Sequence, residues 1–200
     1  MNERSFAREV MKLDKKELIR QSAAEVFSKE GYYSTTVKMI AAEANIAVGT
    51  IYIYFKTKEE ILDYIFAVEH NKRIQYFEGL QEHSLGIIEV IESFLDYHFN
   101  ELQENPSISK VLVQEDLSPL MSKTKNMRTY SSKLPDMLAE MLKKAQEGGQ
   151  IGNIDAPIVA RLIFQLIKGS VYISQEKKEV NWQNEVKSQI ISLITKGIQN

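Results

Sequence analysis

The sequence predicts an all-α protein of about nine helices. Apolar residues recur three and four apart in nearly every segment, and no two alternating runs are joined by a hairpin turn. Residues that start or stop helices punctuate the chain at intervals of one helix length. The 200 residues are 44% apolar and 26% charged, ordinary for a chain that buries a core. Residues 1–56 are expected to form a head of three helices with an N-terminal arm. Residues 57–200 are expected to form a second helical body, entered through a connector helix at 57–81.

In chain order, Leu18, Ile19, Ala23, Val26 and Phe27 share one helical face and predict a helix from Asp14 to Glu30, stopped by Gly31. Ahead of it and in its first turn, Arg4, Arg8, Lys12, Lys15 and Lys16 interleave with Glu3, Glu9 and Asp14. Such an arm suits phosphate or minor-groove contact, or a solvated leader. Ser34, Thr35 and Thr36 can cap a short helix from Val37 to Ala44, and Asn45 can turn the chain after it.

Residues 46–60, IAVGTIYIYFKTKEE, alternate like a strand at Ile51-Tyr52-Ile53-Tyr54-Phe55. A strand there would have no partner for its backbone. As a helix from Val48 to Tyr54, the stretch places Ile51 and Phe55 inward beside Val48. Gly49, Thr50 and Ile53 then face outward, with Tyr52 and Tyr54 at the flanks. Two short helices joined by a tight turn can lay the second in a DNA major groove. Thr50, the two tyrosines and Lys58 would supply phosphate or base contacts. Thr57-Lys58-Glu59-Glu60 matches a capping box, so the connector helix begins at Lys58 and runs to about Gln81.

Beyond it, Ser84, Asn105-Pro106, Ser118-Pro119, Gly148-Gly149 and Asp155-Ala156-Pro157 separate five further helices. Pro135 lies inside the helical pattern from Met121 to Glu147 and predicts a kink or break near Leu134. Residues 155–176 are apolar nearly all round, apart from Arg161, Gln165 and Lys168. Such a helix needs two partners, its own body and a second copy of the chain. The last helix carries Val186, Ile190, Leu193 and Ile194 and could complete a four-helix dimer seam, with Gly169 and Gly197 permitting close approach.

Composition narrows the function. With no cysteine, disulfides, thiolate metal sites and thiol nucleophiles are excluded. His70, His83 and His98 lack metal-ligand spacing, and there is no GxSxG or phosphate-cradling glycine loop, so neither an enzyme nor a metal or cofactor protein is expected. The opening residues, MNERSFAREVMKLDKK, lack the apolar core of an export signal, and a cytoplasmic protein is expected. The net charge of −2 conceals an asymmetry: residues 1–58 hold ten Lys/Arg against seven acids, a net of +3. A basic end on an acidic body fits polyanion binding by that end.

The run STTVKMIAAEANIAVGTIYIYFKTKEEIL resembles the DNA-binding signature of the TetR-type bacterial transcriptional repressors. Thr35-Thr36, Ile40-Ala41, Gly49-Thr50, Tyr52, Tyr54-Phe55 and Lys58-Glu59 fall in register over residues 14–66. The resemblance implies a homodimer that binds a palindromic operator in double-stranded DNA and is released by a small hydrophobic effector, such as a fatty acyl thioester or a lipophilic drug. Thr36 and Lys38 match the family's contacts from the second helix. Val48, Gly49, Thr50, Tyr52 and Ile53 match its recognition helix, and Tyr54 and Lys58 its phosphate clamps. Ala47 and Val48 stand where members often carry polar side chains, and Ile53 where an aromatic is common. The resemblance also implies an effector pocket in the body, for which Tyr97, His98, Tyr130, Phe164, Lys168 and Tyr172 are the candidates. The same apolar residues serve equally well as core. A DNA-bound activator or nucleoid-associated adaptor using the same head without an inducer is the alternative.

Overall fold

A computed structural model describes residues 3–83, 85–116, 125–176 and 182–198, and the side chains at 14–83, 85–112, 132–170 and 183–198. Among the described residues there are nine α-helices and no strand: α1 (Glu3–Glu30), α2 (Val37–Glu43), α3 (Val48–Tyr54), α4 (Lys58–Gln81), α5 (Ile87–Glu104), α6 (Pro106–Asp116), α7 (Lys125–Glu147), α8 (Ala156–Glu176) and α9 (Trp182–Ile198). The expected all-α class is what the chain adopts.

Two expectations about helix ends change. The first helix begins at Glu3 rather than near Asp14. Residues 3–14 contain neither Gly nor Pro and are rich in helix formers, so nothing ends the helix before it leaves the core. Arg4, Arg8 and Lys12 therefore stand on a helix, not on an extended arm. Likewise α7 runs through Pro135 without a break. The ring removes one N–H, while the helix is held on its buried side by Leu134, Leu138, Leu142 and Ala145.

The chain divides into two compact units: the described parts of residues 1–69 with 105–124, and those of 70–104 with 125–200. The expected boundary after residue 56 falls inside the first unit. The first half of α4 belongs to the head, because Ile61, Leu62, Ile65 and Phe66 are buried in it. So does α6, which the sequence suggested was part of the body. It packs along α1, buries Ile108 and Val111, and its Ser107 Oγ donates to Glu25 Oε1 at 2.7 Å.

In this unit, Ile19, Ala23 and Phe27 of α1 meet Ile40 and Ala41 of α2 and Ile51 of α3 in an apolar centre. One buried ion pair crosses it. Arg20 grips Glu17 through Nε and Nη2 at 2.8 and 2.7 Å, and its Nη1 donates to Glu69 of α4 at 3.0 Å. Arg20 and Glu69 are only 3% and 2% exposed. Such a pair tolerates one register of α4 against α1, because a slip would strand a buried charge.

The second unit is built from α5, α7, α8, α9 and the second half of α4. α7 packs along α8, and α9 lies against α5 and α8. The α7–α8 connection is fixed at both ends. Gly149 takes the left-handed conformation (φ 70°) that closes α7, and Asp155 Oδ1 accepts from the Ile158 amide to cap α8. α8 is two-sided: Ala160, Ile163, Phe164 and Ile167 are buried, whereas Ile158, Leu162 and Leu166, four residues apart, are exposed. Among the described residues nothing lies within 4 Å of where a Cβ would stand on Gly169 or Gly197, so neither glycine serves close packing among them.

Candidate functional site

The head's outward surface is built from α2, its turn and α3. Thr36 caps α2, its hydroxyl accepting from the Met39 amide at 3.3 Å. Asn45, at φ 51°, occupies the left-handed region that few residues adopt, and the Ile46 amide returns to the Ala41 carbonyl. This tight turn reorients the chain so that α3 can bury Ile51 completely and follow it with Phe55. Inward Ile51 fixes the opposite face as outward, and there Ile53 is 72% exposed and Tyr52 46%. Gly49 is exposed, with no heavy atom within 4 Å of the position a Cβ would take, so the α3 backbone itself is accessible. Lys38 is exposed on the first turn of α2, and Val48, Thr50 and Tyr54 are half-buried at the edges of the patch.

The link into α4 is tightly held. The Thr57 hydroxyl accepts from the Glu60 amide at 3.2 Å, half of the expected capping box. Glu60 reaches one residue further than expected, accepting from the Lys56 amide at 2.6 Å rather than from Thr57. Lys58 is the larger surprise. Its Nζ donates to the carbonyls of Tyr32 at 2.7 Å and Thr35 at 2.9 Å, with Tyr33 at 3.4 Å, and lies 4.3 Å from the Tyr32 ring centre. An ammonium has three N–H groups, so this one is used up on the loop between α1 and α2. Beside it, the Glu59 carboxyl is held below its ordinary range by its own backbone N–H and by the Tyr32 hydroxyl at 2.8 Å. Lys16 of α1 sits over the rings of Phe55 and Tyr64, at 5.6 and 5.1 Å.

With this arrangement in view, comparison with known proteins identifies the head. Residues 19–65 match the model of the bacterial regulatory proteins of the tetR family. Residues 19–65 thus carry a tetR-family DNA-binding domain. Two relatives from Bacillus subtilis (strain 168) span nearly its whole length. The HTH-type transcriptional regulator YhgD is 27% identical over 94% of this chain and 98% of its own. The fatty acid metabolism regulator protein is 27% identical over 91% of this chain and 94% of its own. Among solved structures, the transcriptional regulator FadR of Bacillus subtilis in complex with stearoyl-CoA has the same fold, with a TM-score of 0.81, 22% identity, and coverage of 92% of this chain and 99% of that one.

The interior of the second unit gathers several of the expected pocket residues. His98 and Phe94 lie parallel on α5 with ring centres 6.3 Å apart, and Phe164 of α8 meets Phe94 edge-on at 5.6 Å. Tyr97 points elsewhere: its ring stacks on Tyr76 of α4 at 4.0 Å. Lys168 is half-buried on α8. Tyr130 and Tyr172 lie outside the described side chains. Sequence reading missed Arg73, which is buried on α4 and donates from Nε to His98 Nδ1 at 3.1 Å. The signal was present, since Phe66, Glu69, Arg73, Phe77 and Leu80 form one helical stripe with two charges in it. Burial, then Arg73 and His70, push the His98 pKa well below the usual histidine value.

Proposed function

We propose that the chain is a cytoplasmic, homodimeric, ligand-responsive repressor. Its two heads bind a palindromic operator, and a small hydrophobic effector, of the fatty acyl thioester class, releases them. The observation that carries the DNA half of this reading is the α3 surface: Tyr52, Ile53 and the bare backbone at Gly49 are turned outward by a fully buried Ile51. Thr36, Lys38, Val48, Thr50 and Tyr54 border it as further contacts. Lys58 contributes by holding the loop before α2 and by starting α4, and it reaches a phosphate only by giving up a carbonyl.

Dimerisation follows from the outer stripe of α8. Ile158, Leu162 and Leu166, with Leu193 of α9, leave apolar side chains in water that a second copy would cover. The open glycines 169 and 197 allow that copy to approach closely. The effector half is supported by the aromatic interior around Phe94, His98 and Phe164, and by the fatty acid regulators among the similar proteins. Since α4 gives one half to each unit, a change in the ligand unit that shifts α4 acts directly on the head.

Genomic footprinting of the bound protein, followed by titration of the recovered DNA with long-chain acyl-coenzyme A, tests this reading. Binding to palindromic sites that weakens as the thioester is added is the expected result. Binding that no lipophilic compound changes would assign the protein to inducer-free DNA architecture instead.

A further inference from the structure

The interior of the second unit contains a polar atom that its neighbours leave unsatisfied. Arg73 Nε–H donates to His98 Nδ1, so Nδ1 carries a lone pair and a neutral imidazole must bear its hydrogen on Nε2. Nε2 is buried and has no hydrogen-bond partner among the described residues. The ring stands against Phe94 at 6.3 Å and Phe99 at 5.9 Å, and Phe94 is met by Phe77 and Phe164 at 5.4 and 5.6 Å. Unlike a hydroxyl, an imidazole N–H cannot rotate to find an acceptor. A donor of fixed direction, left unmade among aromatic rings, is unfavourable for the fold and calls for an acceptor from outside the chain.

We propose that the His98 Nε2–H anchors the polar end of the effector, and that the effector is an apolar chain headed by an acceptor oxygen, the carbonyl or carboxylate of an acyl group. The proposal rests on the ligand-responsive reading above and narrows it. An amine head, protonated at neutral pH, brings only N–H donors to meet another donor and is rejected. Arg73 acts as a positioning residue: its Nε–H selects the tautomer that points the proton of His98 at the ligand.

The test is isothermal titration calorimetry on the full-length protein with decanoic acid, methyl decanoate and decylamine, using wild type, His98→Phe and His98→Gln. Wild type is expected to bind the acid or the ester, or both, and to discriminate against the amine. His98→Phe keeps an aromatic ring against Phe94 and Phe99 but has no N–H, and should lose about tenfold or more in affinity for the acyl compounds. His98→Gln retains a donor and should recover part of that loss. Preference for the acid over the ester assigns a carboxylate head, and equal binding of the two assigns the carbonyl. If wild type binds all three alike, the anchor is wrong while the ligand-responsive reading stands, and this outcome needs no variant to fold. Undiminished acyl binding by a folded His98→Phe has the same meaning. If none of the three binds wild type, the ligand reading falls and the anchor falls with it.

Discussion

Lys58 illustrates how a single side chain can be recognised and still be misread. The capping motif around it is local, and it correctly marks the start of α4. Its partners, the carbonyls of Tyr32, Tyr33 and Thr35, lie 23 to 26 residues earlier and leave no trace in the local pattern. Lys58→Met should therefore destabilise the head by about 1 kcal/mol or more even without DNA, because part-buried carbonyls lose a charged donor. Chemical denaturation followed by far-UV circular dichroism measures it. A Lys58→Met protein as stable as wild type would return Lys58 to a purely DNA-contacting role. His98 makes a second prediction. Its folded pKa is depressed, so the native state keeps it neutral while the unfolded chain takes up a proton below the ordinary value of about 6.5. Its contribution is complete above that pH and is lost as the pH falls through the window below it, at up to about 1.4 kcal/mol per pH unit. Melting temperatures of His98→Phe should decline less steeply than those of wild type on acidification from about pH 7 to about pH 5.

At the scale of elements, caps and apolar stripes made α2, α3 and α4 readable almost to the residue. The strand-like look of residues 51–55 dissolves once Ile51 and Phe55 are assigned to the core and Ile53 to the surface. The outer end of α1 was not read as helix, because Arg4, Arg8, Glu9 and Lys12 suggested a solvated arm although Phe6, Val10 and Leu13 recur there at helical spacing. Nor was the placement of α6. Its short apolar face fits α1 as well as any body helix, and only the three-dimensional contact through Ser107 and Glu25 distinguishes them. Two predictions belong here. Ile51→Ala leaves a cavity under the recognition helix and should cost about 2–5 kcal/mol, abolishing DNA binding before the second unit melts. Glu69→Ala takes the acceptor from the buried Arg20 Nη1 while Glu17 still holds Nε and Nη2, and should cost about 1–3 kcal/mol, whereas Arg20→Met with Glu69→Met should be milder. Equal losses in the single and double variants would mean that the pair contributes no register constraint between α1 and α4.

For the whole molecule, the proposed function assigns three features to one activity: an outward α3 to DNA, an apolar α8 stripe to a second copy, and an aromatic interior with an unmade imidazole donor to a ligand. The α8 stripe gives an independent check. Leu162, at 58% exposure, is a contact of the proposed dimer, so Leu162→Glu should yield a folded monomer by analytical ultracentrifugation, with operator affinity reduced by about a hundredfold or more. The most direct measurement of the central claim is fluorescence anisotropy of a palindromic site recovered by footprinting, titrated with wild-type protein in the presence and absence of a long-chain acyl-coenzyme A. The account predicts binding with a stoichiometry of one dimer per palindrome, and a fall in affinity of about tenfold or more when the thioester is present. Affinity that stays the same across acyl thioesters, free acids and lipophilic drugs would contradict it.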